Sequence, residues 1–153
     1  MTHVVLNQSE PRVDIDEYTT NTALTEAVAA FDAGWATEEL TATGRLVGQA
    51  DFQRDAELAN TITPRLHTHD RWGHRVDEIE FHPAYHRIIG DAIAAGAHTS
   101  AWAEPGPGAN VARAGHFYLF GQIEPGHCCP VSMTHAVVPS LQTTPEIAQE
   151  WLP

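Results

Sequence analysis

The sequence predicts an all-α helical bundle led in by an extended N-terminal segment. Three observations carry that prediction. Apolar residues recur at helical spacing in several separate stretches, glycines and prolines cut the chain into helical lengths, and the 42% apolar fraction leans on alanine, the strongest helix former. Leu, Ile, Val and Phe make up about a fifth of the 153 residues, near the roughly 20% level below which acidic chains tend to stay unfolded. A chain of this length can bury roughly two thirds of its unfolded surface without disulfide or metal.

The first ten or so residues read as extended and end at Pro11. Asn21 is a natural N-cap, after which Leu24, Ala27, Val28 and Phe31 recur at i, i+3, i+4 and i+7 until Gly34. Thr37 as a cap, followed by Glu38 and Glu39 in a first turn that favours acids, predicts a second short helix ended by Gly44 and Gly48. A third runs from about Asp51 through Phe52, Leu58, Ala59 and Ile62 and stops before Pro64. Residues 64–82 are expected to form a polar loop turning at Trp72-Gly73, and no stretch reads as a β-sheet.

The strongest helical signal follows. Pro83 occupies a first helical position, and Tyr85, Ile88, Ile89, Ala92 and Ile93 mark one face until Gly96. After Pro105-Gly106-Pro107-Gly108, a helix from about Asn110 to Glu124 is apolar around most of its axis, as a central buried helix would be. Pro125-Gly126 stops it. Pro130 opens another helix through Met133 and Val137 that bends or ends at Pro139, and Thr144-Pro145-Glu146 announces a last helix of barely two turns.

The formal charge is -12 at pH 7, and the eight basic residues are all arginines dispersed along the chain. A nucleic-acid footprint needs a concentrated basic face, and so does attraction to an anionic membrane; neither partner is expected. The N-terminus lacks the basic and apolar regions of a signal peptide, and the longest strongly apolar run, Phe117 to Phe120, is far too short to span a bilayer. A soluble, cytoplasmic protein is expected. Adjacent Cys128 and Cys129 match neither zinc nor thioredoxin spacing and should be reduced.

Familiar catalytic motifs are missing. There is no Gly-x-Ser-x-Gly elbow, no Walker loop and no third glycine to make Gly106-Pro107-Gly108 a dinucleotide fingerprint. Ten histidines do raise a metal alternative. His67, His69, Asp70 and His74 crowd one stretch, while His82 and His86 stand at i, i+4, a spacing that can turn two imidazoles to one ion. Pro83 and Ala84 occupy the place where a zincin helix would carry its acid.

Other residues are more telling. Thr2-His3-Val4-Val5-Leu6-Asn7-Gln8, then Ala59-Asn60-Thr61-Ile62-Thr63-Pro64, then the run from Asp70-Arg71-Trp72-Gly73 to Phe81-His82-Pro83-Ala84-Tyr85-His86, then Cys129-Pro130-Val131-Ser132-Met133-Thr134 occur in order. This series resembles the N-terminal helical domain of the AidB-like, adaptive-response branch of the acyl-CoA dehydrogenase family, over about residues 2–153.

The resemblance implies a flavoprotein oxidoreductase acting on acyl-CoA thioesters. Residues 1–153 would be its N-terminal helical domain, as a truncated product or one chain of a split enzyme, with the middle β-domain and the C-terminal helical domain elsewhere. It implies FAD in the complete enzyme, held mainly by those other parts, and a homo-oligomer once complete. No cofactor and no catalytic residue is expected in this chain, because the family's base is a glutamate of the C-terminal domain and Met133-Thr134-His135 lacks the acid of the flavin-contacting stretch.

By the same resemblance the stretch from Gln122 to Met133 would help wall the acyl pocket, with Gln122, Glu124, Cys129 and Met133 as its lining; the competing reading packs Cys129 and Met133 into the core. Gly115 stands where the family more often has Ala, an exchange that should cost about 1 kcal/mol of helix stability. The alternative function is a stand-alone helical interaction module, or a metal-binding one using His82 and His86.

Overall fold

The computed structural model describes residues 5–152. Among them are eight α-helices and one β-hairpin: α1 (Thr22–Ala30), α2 (Thr37–Val47), α3 (Ala50–Thr61), β1 (Arg65–His69), β2 (Arg75–Glu80), α4 (Pro83–Ala94), α5 (Ser100–Ala103), α6 (Ala109–Ile123), α7 (Cys128–Leu141) and α8 (Pro145–Trp151). Residues 1–4 of the extended lead-in lie outside the described residues. From Val5 to Val13 the chain has no helix or strand, as expected.

Asn21 caps α1 through its side-chain oxygen, which accepts from the Leu24 N–H at 3.1 Å. The helix ends at Ala30, one residue earlier than the apolar pattern suggested. Phe31 leaves the helical path and is 64% exposed instead of facing the core. A 3₁₀ turn, Gly34–Ala36, leads into α2, so Thr37 is the first helical residue and not the cap.

Gly44 does not end α2, contrary to expectation. The lead-in lies along this helix: the Glu17 N–H donates to Gly44 O at 3.1 Å and the Asp14 N–H to Gly48 O at 2.6 Å. A Cβ on Gly44 would lie 2.5 Å from Tyr18 N, and one on Gly48 would strike the Ile15 carbonyl oxygen. The two glycines, one turn apart, form the notch that lets the irregular segment of residues 14–18 press against the helix. Tyr18, 2% exposed, locks the contact.

Helix α6 is central, as its apolar circumference predicted, and packs against α1, α2, α4 and α5. Phe52, Phe120, Leu40, Ile88 and Leu119 are fully buried around it. The Phe52 and Phe120 rings tilt against each other at 5.9 Å, a favoured aromatic geometry. Gly115 of α6 owes its identity to α2: an added Cβ would meet Leu40 Cδ2 at 2.9 Å. The expected stability loss from this glycine is therefore set against a close helix approach that alanine would disturb.

The expected loop 64–82 is instead an antiparallel hairpin, pairing Leu66 with Ile79 and His67 with Glu78. Its chain alternates only weakly between polar and apolar, because nearly every residue in it is exposed. The turn is built on Asp70, whose carboxylate accepts from the Trp72 and His74 amides at 2.8 and 2.9 Å, and on Gly73 at φ +88°.

Helix α7 begins two residues before Pro130 and runs through Pro139 to Leu141. Pro130 lies in the first turn, where no N–H is needed. Pro139 cannot donate to the His135 carbonyl one turn back. The Trp102 indole N–H of α5 takes its place, donating to that oxygen at 3.1 Å, so the helix continues. Helix α5 itself was not foreseen, being only four residues long.

Candidate functional site

The join between α6 and α7 is organised by Glu124, which is 2% exposed. Its carboxylate accepts from the Gly126 N–H at 2.7 Å, the His127 N–H at 2.8 Å and the His127 ring Nδ1–H at 3.0 Å. Burial opposes the charge, but the two amides and the His127 ring outweigh it and hold the carboxyl below its ordinary value. A carboxylate at the first N–H groups of a helix also complements its dipole. His127 is fully buried, its Nε2 has no partner among the described residues, and its ring stands edge-on to Phe120 at 6.1 Å.

A second fastening holds α7 from below. Arg113 of α6 donates through Nε to the His98 carbonyl at 3.2 Å, and the His135 ring Nδ1–H donates to the same oxygen at 2.9 Å. The Arg113 guanidinium stacks over Phe117 at 4.8 Å. Burial lowers the pKa of Arg113, while burial and then the Arg113 charge lower that of His98. Burial, reinforced by the Glu124 charge, raises that of Cys128 against the pull of Arg113.

These fastenings decide what α7 shows to its surroundings. Val131 and Val138 face inward, whereas Cys129, Met133 and Val137, spaced i, i+4, i+8, face outward. Met133 is 66% exposed. Cys129 and Met133 therefore form one exposed apolar stripe and do not pack the core. Gln122 is exposed near the end of α6, but Glu124 is sealed inside. Of the four residues expected to line a pocket, three are at the surface and the fourth sets the geometry of the join.

Sequence reasoning missed a cleft of about 700 Å³ between α2, α4, α5 and α6. At its floor the Thr43 hydroxyl and His116 Nδ1 are 2.9 Å apart, with Thr43 5% and His116 4% exposed. Desolvation pushes the His116 pKa down to about 4, so the ring is neutral at pH 7. The signal was in the sequence: Ala112, His116 and Leu119 follow helical spacing on the buried face of α6. Glu39, Asp91 and Glu104 line the same cleft. Its charge repels pyrophosphate, so it does not fit FAD.

The histidines of the metal alternative are occupied separately. His82 caps α4, its Nδ1 accepting from the Ala84 N–H at 3.1 Å. His86 stands edge-on to Phe81 and Tyr85, His67 meets Glu80 at 2.6 Å, and His74 meets Asp70 at 2.9 Å. Among the described residues no three His, Cys, Asp or Glu side chains come together to hold a metal ion. Nor is any described helix long and apolar enough to cross a membrane.

The described residues form a helical body with a hairpin between α3 and α4 and an outward-facing α7. It superposes on the apo form of Bd2924 with a TM-score of 0.76 at 20% identity, covering 91% of this chain and 28% of that one. It superposes on Caenorhabditis elegans ACDH-11, solved in complex with C11-CoA, with a TM-score of 0.70 at 17% identity, covering 94% of this chain and 25% of that one. Residues 7–153 match the family described as the adaptive response protein AidB N-terminal domain, and the chain belongs to that family. AidB of Escherichia coli (strain K12), which bears an acyl-CoA dehydrogenase name, is 39% identical over 152 residues. That alignment takes in 98% of this chain and 28% of AidB, so the chain spans little more than a quarter of its relative.

Proposed function

We propose that this chain serves as the N-terminal helical domain of an AidB-like flavoenzyme that acts on acyl-CoA thioesters, and that the outer face of α7 walls the acyl pocket. The observation that carries the reading is the apolar stripe Cys129, Met133 and Val137, held outward by the Glu124 fastening and by the His98 carbonyl that Arg113 and His135 share. An apolar wall with a few polar groups suits a thioester's hydrocarbon tail. The acyl-CoA bound in the ACDH-11 structure supports that ligand class.

In this reading FAD is held by the rest of the enzyme, where it accepts hydride from the substrate. This chain's part is to shape the pocket, exclude water and bury its own exposed apolar surface against the other domains. Those domains, on the same polypeptide or a partner chain, complete an enzyme that assembles as a homo-oligomer and works in the cytoplasm. With a net charge of -12 and no concentrated basic face in its sequence, this domain stays away from nucleic acid.

The test is to produce the chain together with the downstream domains and measure flavin content and acyl-CoA binding. Met133→Trp should leave flavin bound and weaken long-chain more than short-chain acyl-CoA. Equal effects on both chain lengths would remove α7 from the pocket.

A further inference from the structure

The cleft between α2, α4, α5 and α6 has no role in the function proposed above. Its size, about 700 Å³, falls in the range of small-molecule sites. Most of its wall is small and apolar, with Ala42, Leu46, Ala94 and Ala95 among its residues. Two features are specific.

The first is the floor. His116 is 4% exposed, and its Nδ1 faces the Thr43 hydroxyl. That ring nitrogen is the hydroxyl's one hydrogen-bond partner among the described residues. Thr43 is 5% exposed, and a buried hydroxyl that did not donate to Nδ1 would leave its proton without a partner among the described residues, which is costly. Thr43 therefore donates, and the imidazole carries its proton on Nε2. Nε2 bonds to no described residue, and His116 lines the cleft. The floor thus offers one neutral N–H donor to whatever enters.

The second is the rim. Asp91 already faces Arg87, with Nε and Oδ2 3.9 Å apart, but Glu39 and Glu104 form no ion pair among the described residues. Two free carboxylates beside a low-dielectric wall attract a cation and repel an anion. A phosphate or carboxylate ligand is thereby disfavoured, even though the floor offers a donor.

We propose that this cleft binds a small organic cation with an apolar body and an acceptor oxygen: the ammonium or guanidinium end meets Glu39 and Glu104, and the oxygen accepts from His116 Nε2–H. The site is separate from the α7 stripe and independent of any acyl-CoA activity.

The test uses the 153-residue chain, with 4-methoxybenzylamine as cationic probe and 4-methoxybenzoate as its anionic counterpart, followed by calorimetry and by NMR of the histidine rings. The amine should bind saturably and shift the His116 Nε2–H resonance, and the benzoate should not. Benzylamine, which lacks the acceptor oxygen, should bind more weakly and leave that resonance nearly unmoved. The variant E39Q/E104Q should keep the wild-type circular dichroism and lose about tenfold in amine affinity. Absence of saturable amine binding, equal binding of the benzoate, or undiminished amine affinity in E39Q/E104Q would each overturn the proposal.

Discussion

Replacing Glu124 with alanine probes the join that aims α7. The wild-type carboxylate accepts three hydrogen bonds of 2.7, 2.8 and 3.0 Å at 2% exposure. Hydrogen bonds to charged groups contribute about 1.5–3 kcal/mol each, and removing one partner of a buried pair costs about 3–5 kcal/mol. The Gly126 and His127 amides lie beyond the end of α6 and gain no helical substitute for the lost carboxylate. Glu124→Ala should therefore cost about 3–5 kcal/mol, and at about 2–4 °C per kcal/mol for a chain of this length the melting midpoint should fall by about 6–20 °C. Glu124→Gln retains an acceptor but turns an NH₂ towards N–H donors, and should fall between alanine and wild type.

The pH dependence gives a second reading of the same group. The folded-state pKa is depressed, so the stabilisation is fully present above the unfolded value near 4.5 and is lost as pH falls through the folded value. Urea midpoints measured from pH 7 downwards should converge for wild type and Glu124→Gln at the acid end. A loss below about 1 kcal/mol for Glu124→Ala, or parallel pH profiles for wild type and Glu124→Gln, would refute the account of the join.

His116 should impose its own slope. Its folded pKa is lowered from 6.5 to about 4, so its contribution is fully present above pH 6.5 and fades as pH falls towards 4, by about 3 kcal/mol at 1.36 kcal/mol per pH unit; denaturation of His116→Gln should show that slope reduced. Gly48→Ala drives a Cβ into the Ile15 carbonyl and should destabilise by about 2–3 kcal/mol, whereas Gly115→Ala meets only the end of the Leu40 side chain and, with its gain in helix propensity, should cost about 1 kcal/mol. Thermal melts of the two alanine variants side by side check both. His82→Ala removes the α4 cap and should cost about 1 kcal/mol without changing the metal content measured by emission spectrometry.

Much of the fold was legible in the sequence because its signals are local. Asn21, Pro83 and Pro145 start helices by satisfying or lacking N–H groups within one turn, and the apolar circumference of α6 announces burial whatever packs on it. The family likewise showed in short ordered stretches such as Asp70-Arg71-Trp72-Gly73. What the sequence hid depends on contacts between residues far apart in the chain. Gly48 does end α2, but Gly44 read as a helix end because only the folded chain brings residues 14–18 against it. The hairpin was invisible because its exposed strands carry little alternation.

The candidate site divides the same way. Composition and spacing by themselves determined an acidic, helical domain, and the family resemblance of its short ordered stretches pointed to the segment from Gln122 to Met133. Only the tertiary structure decided that Glu124 turns inward to clasp the His127 and Gly126 amides while Cys129 and Met133 turn outward. It likewise brought Thr43 and His116, 73 residues apart, within 2.9 Å. Helical spacing says which residues share a face; which face is buried is set by what packs against it, through the Trp102 bond to His135 and the Arg113 bond to His98.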